Sequence, residues 1–425
     1  MSRERNPGRL RRNLFVDVGP LRRSRDFRFL YAGQLVSLLG RQFAVVAVPY
    51  QVFLITGTSL AVGLVGLVQL GPLLAMSLIG GAFADAVDRR RLLLVAQLLQ
   101  GVVSVGLALY AQGGGSAVWP IYVLVAVAAG LSGLSSPTWG AVLPALVGRR
   151  DLPAAFALNQ ILFQLGQAVG PAVAGLVIAR VSLAAAYWID AASFGVAAAS
   201  LIPIRPLPPQ GGGRRAGPIS ILEGLRFLRD RRLLQATFAI DISAMVFGMP
   251  RALFPELGTR VFGGDARTVG LLFAAPGVGA LLGASTSGWV GGVRRQGRAV
   301  LVAVLVWGLA ITGFGVAPWL LVALALLAVA GAADVISAIF RSTMLQVSVP
   351  DALRGRLTGV HTAVVTGGPR LGDAEAGTVA ALTTPRISVV SGGLLSILGA
   401  LLINRLFPEL RSYHRDADDG EARRT

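Results

Sequence analysis

Ten ionisable side chains interrupt otherwise apolar stretches of this chain: Arg41, Asp190, Asp241, Arg251, Glu256, Asp334, Arg341, Arg370, Asp373 and Glu375. A charge in apolar surroundings is costly, so it is kept where it binds a charged solute, carries a proton or pairs with an opposite charge. Spacing decides which of them can act together. Asp334 and Arg341 are seven residues apart and fall on one face of a helix. Arg370 and Asp373 are three apart and can pair along a helix, and protonation of the carboxylate would release such a pair. Glu375 points about 200° away from Asp373, so the two cannot face one cavity. Nucleophilic and metal chemistry lack their parts. There is no Cys and no Lys, and the two histidines, His361 and His414, lie apart, the latter in a polar tail. Without Lys a P-loop cannot form, and no cofactor or metal is expected.

The elements that must carry these charges are long apolar runs. Twelve are predicted as helices, at 29–56, 59–84, 92–112, 118–146, 153–180, 183–204, 235–260, 268–291, 299–317, 319–346, 357–381 and 387–407. They are called segments 1 to 12 below. A bilayer core of ~30 Å needs about 20 apolar residues per crossing. Composition agrees, with 54% hydrophobic and only 14% charged residues. The net charge of +18 does not point to nucleic acid, because the arginines sit at the ends of apolar runs rather than along a soluble basic stripe. Arginine collects in every second gap, whereas Thr56 to Ser59 and Gln112 to Ala117 hold none. The positive-inside rule then predicts a multi-pass plasma-membrane protein with both termini cytoplasmic. A first apolar run too long for a signal-peptide core predicts that segment 1 is retained.

The expected organisation is an N-terminal arm at 1–28, six segments at 29–204, a cytoplasmic linker at 205–234, six more at 235–407 and a tail at 408–425. The linker opens with Pro206, Pro208, Pro209 and three glycines, then places Ile219, Leu222, Leu225 and Leu228 at helical spacing, which predicts an amphipathic helix on the inner membrane face. The halves look related. Gly166, Gly170 and Gly175 of segment 5 have the spacing of Gly368, Gly372 and Gly377 of segment 11, as a parallel six-helix repeat requires.

Two motifs carry a family resemblance. Gly81-Ala-Phe-Ala-Asp85-Ala-Val-Asp88-Arg89-Arg90-Arg91, between segments 2 and 3, resembles the cytoplasmic loop signature of the major facilitator superfamily, departing from it at Ala86 and Asp88. Gly166-Gln-Ala-Val-Gly170-Pro171-Ala-Val-Ala-Gly175 resembles the superfamily's antiporter signature, with Ala174 for one glycine. Thr343 to Gln346, Pro350 to Gly359 and Gly372-Asp373 are similar to the enterobactin-exporter-like and macrolide-efflux-like branch.

The resemblance implies an all-α fold of twelve transmembrane helices in two pseudo-symmetric bundles around a central cavity. Helices 1, 4, 7 and 10 would line it and 3, 6, 9 and 12 would lie outside. It implies a monomer that is not an enzyme, and efflux of a small amphiphilic molecule by alternating access with proton antiport. A lipid or lysolipid flipping protein of the same fold is the alternative. A membrane-embedded enzyme would need a metal cluster or nucleophile set, and a channel would need rings of like charge. Arg41, Asp334 and Asp241 are the expected cavity residues, and Asp373, with Arg370 and Glu375, the expected proton-coupling group. Asp373 occupies the place in segment 11 that Pro171 holds in segment 5, after a Gly367-Gly368-Pro369 run expected to break or kink the helix. Asp85 is expected to link its loop to helix 11, and Gly170-Pro171 to bend tightly between the bundles. Asp190 is read as a helix–helix hydrogen bond, Glu256 and Arg251 as stabilisers of helix 7, Asp241 as shallow and hydrated or functional, and His361 as solvated or hydrogen-bonded. Tyr50, Trp139, Phe163 and Phe340 could shape a drug-like pocket, but each taken singly reads as ordinary packing.

Overall fold

The computed structural model describes residues 17–148, 150–208, 226, 228, 229, 231–349 and 351–413. Its long helices are α1 (Arg25–Thr56), α2 (Ser59–Ala86), α3 (Arg89–Gln112), α4 (Trp119–Leu146), α5 (Leu152–Arg180), α6 (Leu183–Leu201), α7 (Arg232–Phe247), α8 (Ala266–Ser285), α9 (Gln296–Val316), α10 (Leu320–Ser348), α11 (Asp351–Leu382) and α12 (Pro385–Leu406). Eleven of them, counting α7 with the turns that prolong it, are long and apolar enough to cross a membrane. The other, α11, has 32 residues and so the length, but it carries His361, Arg370, Asp373 and Glu375. The least apolar helix is thus the one richest in candidate chemistry. The predicted amphipathic linker helix at 219–229 falls almost wholly outside the described residues.

Local signals set the helix ends. Side chains of Ser24, Thr58, Asp88, Ser182 and Thr384 accept hydrogen bonds from the first free N–H groups of α1, α2, α3, α6 and α12. Gly57 closes α1 at φ 69°, a left-handed cap that glycine adopts without strain. The α1–α2 turn contains no arginine and marks the arginine-poor face of the molecule. The α2–α3 turn, with Arg89, Arg90 and Arg91, marks the arginine-rich face.

Packing divides the helices into two groups. In the first, α1 lies on α5 and α6, α2 on α4, and α3 on α4 and α6; in the second, α7 lies on α11 and α12, α8 on α10, and α9 on α10 and α12. The groups meet through α2 against α11 and α5 against α8. With no hydrophobic force between helices in lipid, such seams depend on small residues that let backbones touch. A Cβ on Gly63 would overlap the Asp373 carbonyl of α11. A Cβ on Gly270 would lie 2.5 Å from the Pro171 carbonyl oxygen and 2.8 Å from Gly175 Cα of α5. Both contacts lie toward the arginine-poor face. There Ser59 Oγ of α2 donates to Glu256 Oε2 at 2.5 Å, and the Arg260 guanidinium sits 5.0 Å over the Phe53 ring of α1.

Three expectations need correction. Segment 7 is not one continuous helix, because α7 ends at Phe247 and the Gly248-Met249-Pro250 run gives way to a 3-10 turn (Arg251–Leu253) and a π turn (Leu257–Val261). Segment 8 stops at Ser285 and continues only as a 3-10 turn, Ser287–Gly292. Segment 11 shows no break, since the helix α11 continues through Pro369. The Gly170-Pro171 step meets the other bundle through the Pro171 carbonyl, which lies against Gly270 of α8. α5 passes through both residues, and a Cβ on Gly170 would meet Gln42 of α1 in the same bundle. Gly175, one turn further on, continues the contact with α8.

The glycine register explains this and supports the repeat. Gly166 and Gly170 of α5 face Leu38 and Gln42 of α1, whereas Gly175 faces Ala266 and Gly270 of α8. Gly368 and Gly372 of α11 face Met245 and Val246 of α7, whereas Gly377 faces Ser59 and Gly63 of α2. In each half, two glycines seat the neighbouring helix and the third seats the other bundle.

Candidate functional site

A cavity of ≈ 330 Å³ lies between the bundles at mid-membrane depth, within the range of small-molecule sites. Its charged lining is Arg41 from α1, Asp190 from α6, Arg251 from the turn after α7, and Arg370 and Asp373 from α11. Val45, Val48, Val62, Val65, Phe194 and Phe273 supply apolar wall. The site therefore offers an amphiphile both oily surface and a surplus of positive charge.

Each charge is held differently. Arg41 exposes its side chain to the cavity and makes no hydrogen bond or ion pair with a described residue, which leaves its five donors for a solute. Asp190 is 2% exposed and its Oδ2 accepts from Ser104 Oγ at 2.6 Å, a bond between α3 and α6, while Oδ1 has no partner among the described residues. Asp373 Oδ1 accepts from Ala252 N–H at 3.0 Å. That donor is free because α7 breaks at Gly248 to Pro250 and its turn presents backbone to the cavity.

The intrahelical Arg370–Asp373 pair expected from spacing is not formed. Arg370 Nη1 donates to the Thr366 carbonyl at 2.5 Å, and the Asp373 carboxylate turns instead to α7. Glu375 does not line the cavity that Asp373 lines. Asp334 does not line it either. Asp334 Oδ1 lies 3.8 Å from Arg341 Nη2, as the seven-residue spacing on α10 allows. The same Nη2 is 2.7 Å from Asp241 Oδ1 of α7, and Arg341 Nη1 donates to Ser337 Oγ at 2.9 Å. Asp241 is therefore 2% exposed and ion-paired between helices of the second bundle rather than open to water. His361 of α11 stands 3.9 Å from Asp241 Oδ2, edge-on to Phe238.

Removing one partner of a buried ion pair leaves an uncompensated charge, typically at ~3–5 kcal/mol. Asp241→Ala is accordingly expected to cost up to about that much stability, whereas Asp241→Leu combined with Arg341→Met should recover only part of it, because Asp334 then loses its partner. Thermal unfolding of the purified variants checks both.

At the arginine-rich face, the side chain of Asp85 lies outside the described residues, so its expected contact with α11 has no structural counterpart here. The neighbouring residues of the motif are tied within their own bundle. Asp88 caps α3 by accepting from Arg90 N and Arg91 N, and also accepts from Leu207 N at 3.1 Å. Arg90 donates to the carbonyls of Leu201 and Ile202 at the end of α6. The departure at Asp88 is thus structural, fastening the start of the linker to α3. Gly81 lies in the last turns of α2 and Arg89 opens α3, its N–H bonding the Leu207 carbonyl.

Sequence reasoning missed the neutral polar lining. Gln69, Gln100 and Ser104 line the cavity, and Gln97, Gln100 and Ser104 share one face of α3. Helices α3 and α6, expected outside, both reach it. The signal was present as a polar stripe in an apolar run, but only ionisable residues were weighed.

Twelve long helices in two groups, joined at α2–α11 and α5–α8 around a cavity between them, are the arrangement of the major facilitator fold. Among solved structures the chain is similar to the nucleoside transporter NupG (TM-score 0.72, 12% identity, 92% of this chain and 100% of that one). It is likewise similar to a bacterial homologue of the iron transporter ferroportin in an inward-facing state (TM-score 0.66, 16% identity, 91% of this chain and 99% of that one). The chain belongs to the MFS_3 family, transmembrane secretion effector, whose model matches residues 17–422. It is 31% identical over 390 residues to the enterobactin exporter EntS of Escherichia coli O1:K1, covering 92% of this chain and 93% of that protein, and equally so to EntS of Shigella boydii serotype 18.

Proposed function

We propose that this transporter exports a small acidic amphiphile, of the siderophore, antibiotic or related metabolite kind, from cytoplasm across the cell membrane, by alternating access coupled to proton influx. The observation that carries the reading is the cavity itself. It holds three arginines against two aspartates, and the bundles that enclose it touch at the arginine-poor face. Family membership and the likeness to EntS support export. The arginine distribution supports both termini on the cytoplasmic side, so that the joined face is the outer one. The arm at 1–28, linker at 205–234 and tail at 408–425 would then share the cytoplasm.

Asp373 is the coupling group in this reading. Its carboxylate faces the cavity and the α7 turn, while its backbone carbonyl lies against Gly63 at the bundle seam. A proton arriving at the one would thus be felt at the other. Arg41 is the anion site, and Arg370 and Arg251 raise the local positive field. Metabolite profiling of a deletion strain tests the function. Intracellular retention of an acidic amphiphile, relieved by the restored gene, supports export, and an unchanged metabolite profile overturns it. Arg41→Gln is expected to weaken binding of that solute by about 10–100-fold, the worth of a charge-assisted hydrogen bond, at unchanged protein abundance. Equilibrium binding to the purified variant checks this.

A further inference from the structure

A second cavity of ≈ 330 Å³ lies wholly within the first bundle, between the mid-depth site and the arginine-rich face. It joins the central cavity through Arg41, Gln100 and Ser132, which line both. Apart from Arg41 it contains no charge. Its polar lining is Gln34, Ser37, Gln97, Ser135, Ser136 and Asn159, with Trp139 and Phe163 as aromatic walls. Two of these groups are buried and unsatisfied. Gln97 is 4% exposed and its Oε1 has no hydrogen-bond partner among the described residues; Ser37 is 2% exposed and its Oγ has none. An orphaned buried polar atom is costly; these two lie just beneath the pocket surface, so a ligand completes their bonds once the side chain turns toward the space.

The matching interior of the second bundle is built differently. There Asp241, Asp334 and Arg341 of α7 and α10 close on one another as ions. The repeat therefore places a closed charge network in one half and an open neutral pocket in the other. Packing alone does not ask for three glutamines, four serines and an asparagine around empty space.

We propose that this side pocket is a binding subsite for an uncharged, hydroxyl- or N–H-bearing arm of an acidic solute whose anionic group sits on Arg41. Gln97 Oε1 can only accept, so the arm must donate there. Serine and asparagine side chains both donate and accept, which suits a hydroxyl or amide. Trp139 and Phe163 flank the space with flat apolar faces that fit an aromatic ring. The subsite rests on the export reading for its solute, and it specifies which half of the cavity selects among solutes.

The test uses full-length protein in lipid nanodiscs and two probes, 3-hydroxyhippurate and 3-methoxyhippurate. Both carry a carboxylate for Arg41, but methylation removes the phenolic donor. Calorimetric binding should be at least tenfold tighter for the hydroxyl probe. In Gln97→Leu that preference should vanish, while thermal stability stays equal or rises because an orphaned acceptor has been removed. Equal binding of the two probes to the unaltered protein overturns the proposal, as does a full preference retained in Gln97→Leu, or no binding of the hydroxyl probe. The comparison of probes on the unaltered protein decides even if the variant fails to fold. Export itself is judged on cellular metabolites, so either reading can fail while the other stands.

Discussion

Asp373→Asn is expected to abolish uphill export while solute binding and downhill exchange persist. The amide keeps the size and one acceptor oxygen for the Ala252 N–H, so the α7 turn should stay in place. It cannot ionise, so the bundle seam at Gly63 loses its connection to a proton. In vesicles with an imposed pH gradient, accumulation should fall to the equilibrium level, and solute counterflow should remain near its unaltered rate. Accumulation against a gradient with normal proton movement would falsify the coupling role of this residue and move it to Asp190 or Glu375.

Gly270→Leu is expected to hold the bundles apart at the arginine-poor face and to stop export. The new Cβ would meet the Pro171 carbonyl and the Gly175 backbone, neither of which can rotate away as a side chain would. Overpacking of this kind costs ~3 kcal/mol, enough to shift a two-state equilibrium by about 100-fold. The chain has no Cys, so single cysteines placed at either side of the seam report their separation without background. Wider label distances together with lost transport are the expected pair of results. Gly170→Leu should behave otherwise. It presses on Gln42 within one bundle and should lower stability without parting the two. Normal transport by Gly270→Leu with an unchanged separation would refute the role given to this contact.

Much of this was legible before any coordinates, for physical reasons that can be named. Apolar runs long enough to cross a bilayer have few alternatives to helix, and most predicted ends fall within a few residues of the observed ones, as at Thr56, Gln112 and Arg180. The Asp334–Arg341 relation followed from helical periodicity alone. What failed was settled by contacts remote in sequence. Asp373 could pair with Arg370 on its own helix, yet it bonds to a backbone N–H that exists only because α7 breaks 121 residues earlier. Asp241 was misjudged because depth along one helix says nothing of the arginine that a different helix brings to it. Gly170 and Gly175 look alike in a motif, and only the rotation of α5 assigns one to α1 and the other to α8. The neutral pocket was overlooked because glutamine and serine cost less in a membrane than ions do, and so stand out less.

The matched glycines of α5 and α11 have a consequence for stoichiometry. The two helices occupy equivalent places and make equivalent contacts, yet at the same register one half holds Pro171 and the other Asp373. Two identical halves would present two acids, and each cycle would load two protons at symmetric stations. Proline has no titratable group, so if Asp373 couples as proposed, this pair of positions loads one proton per cycle. The energy contributed at this position would then be that of a single proton, and a steeper concentration ratio would need a second acid elsewhere, such as Asp190 or Glu375.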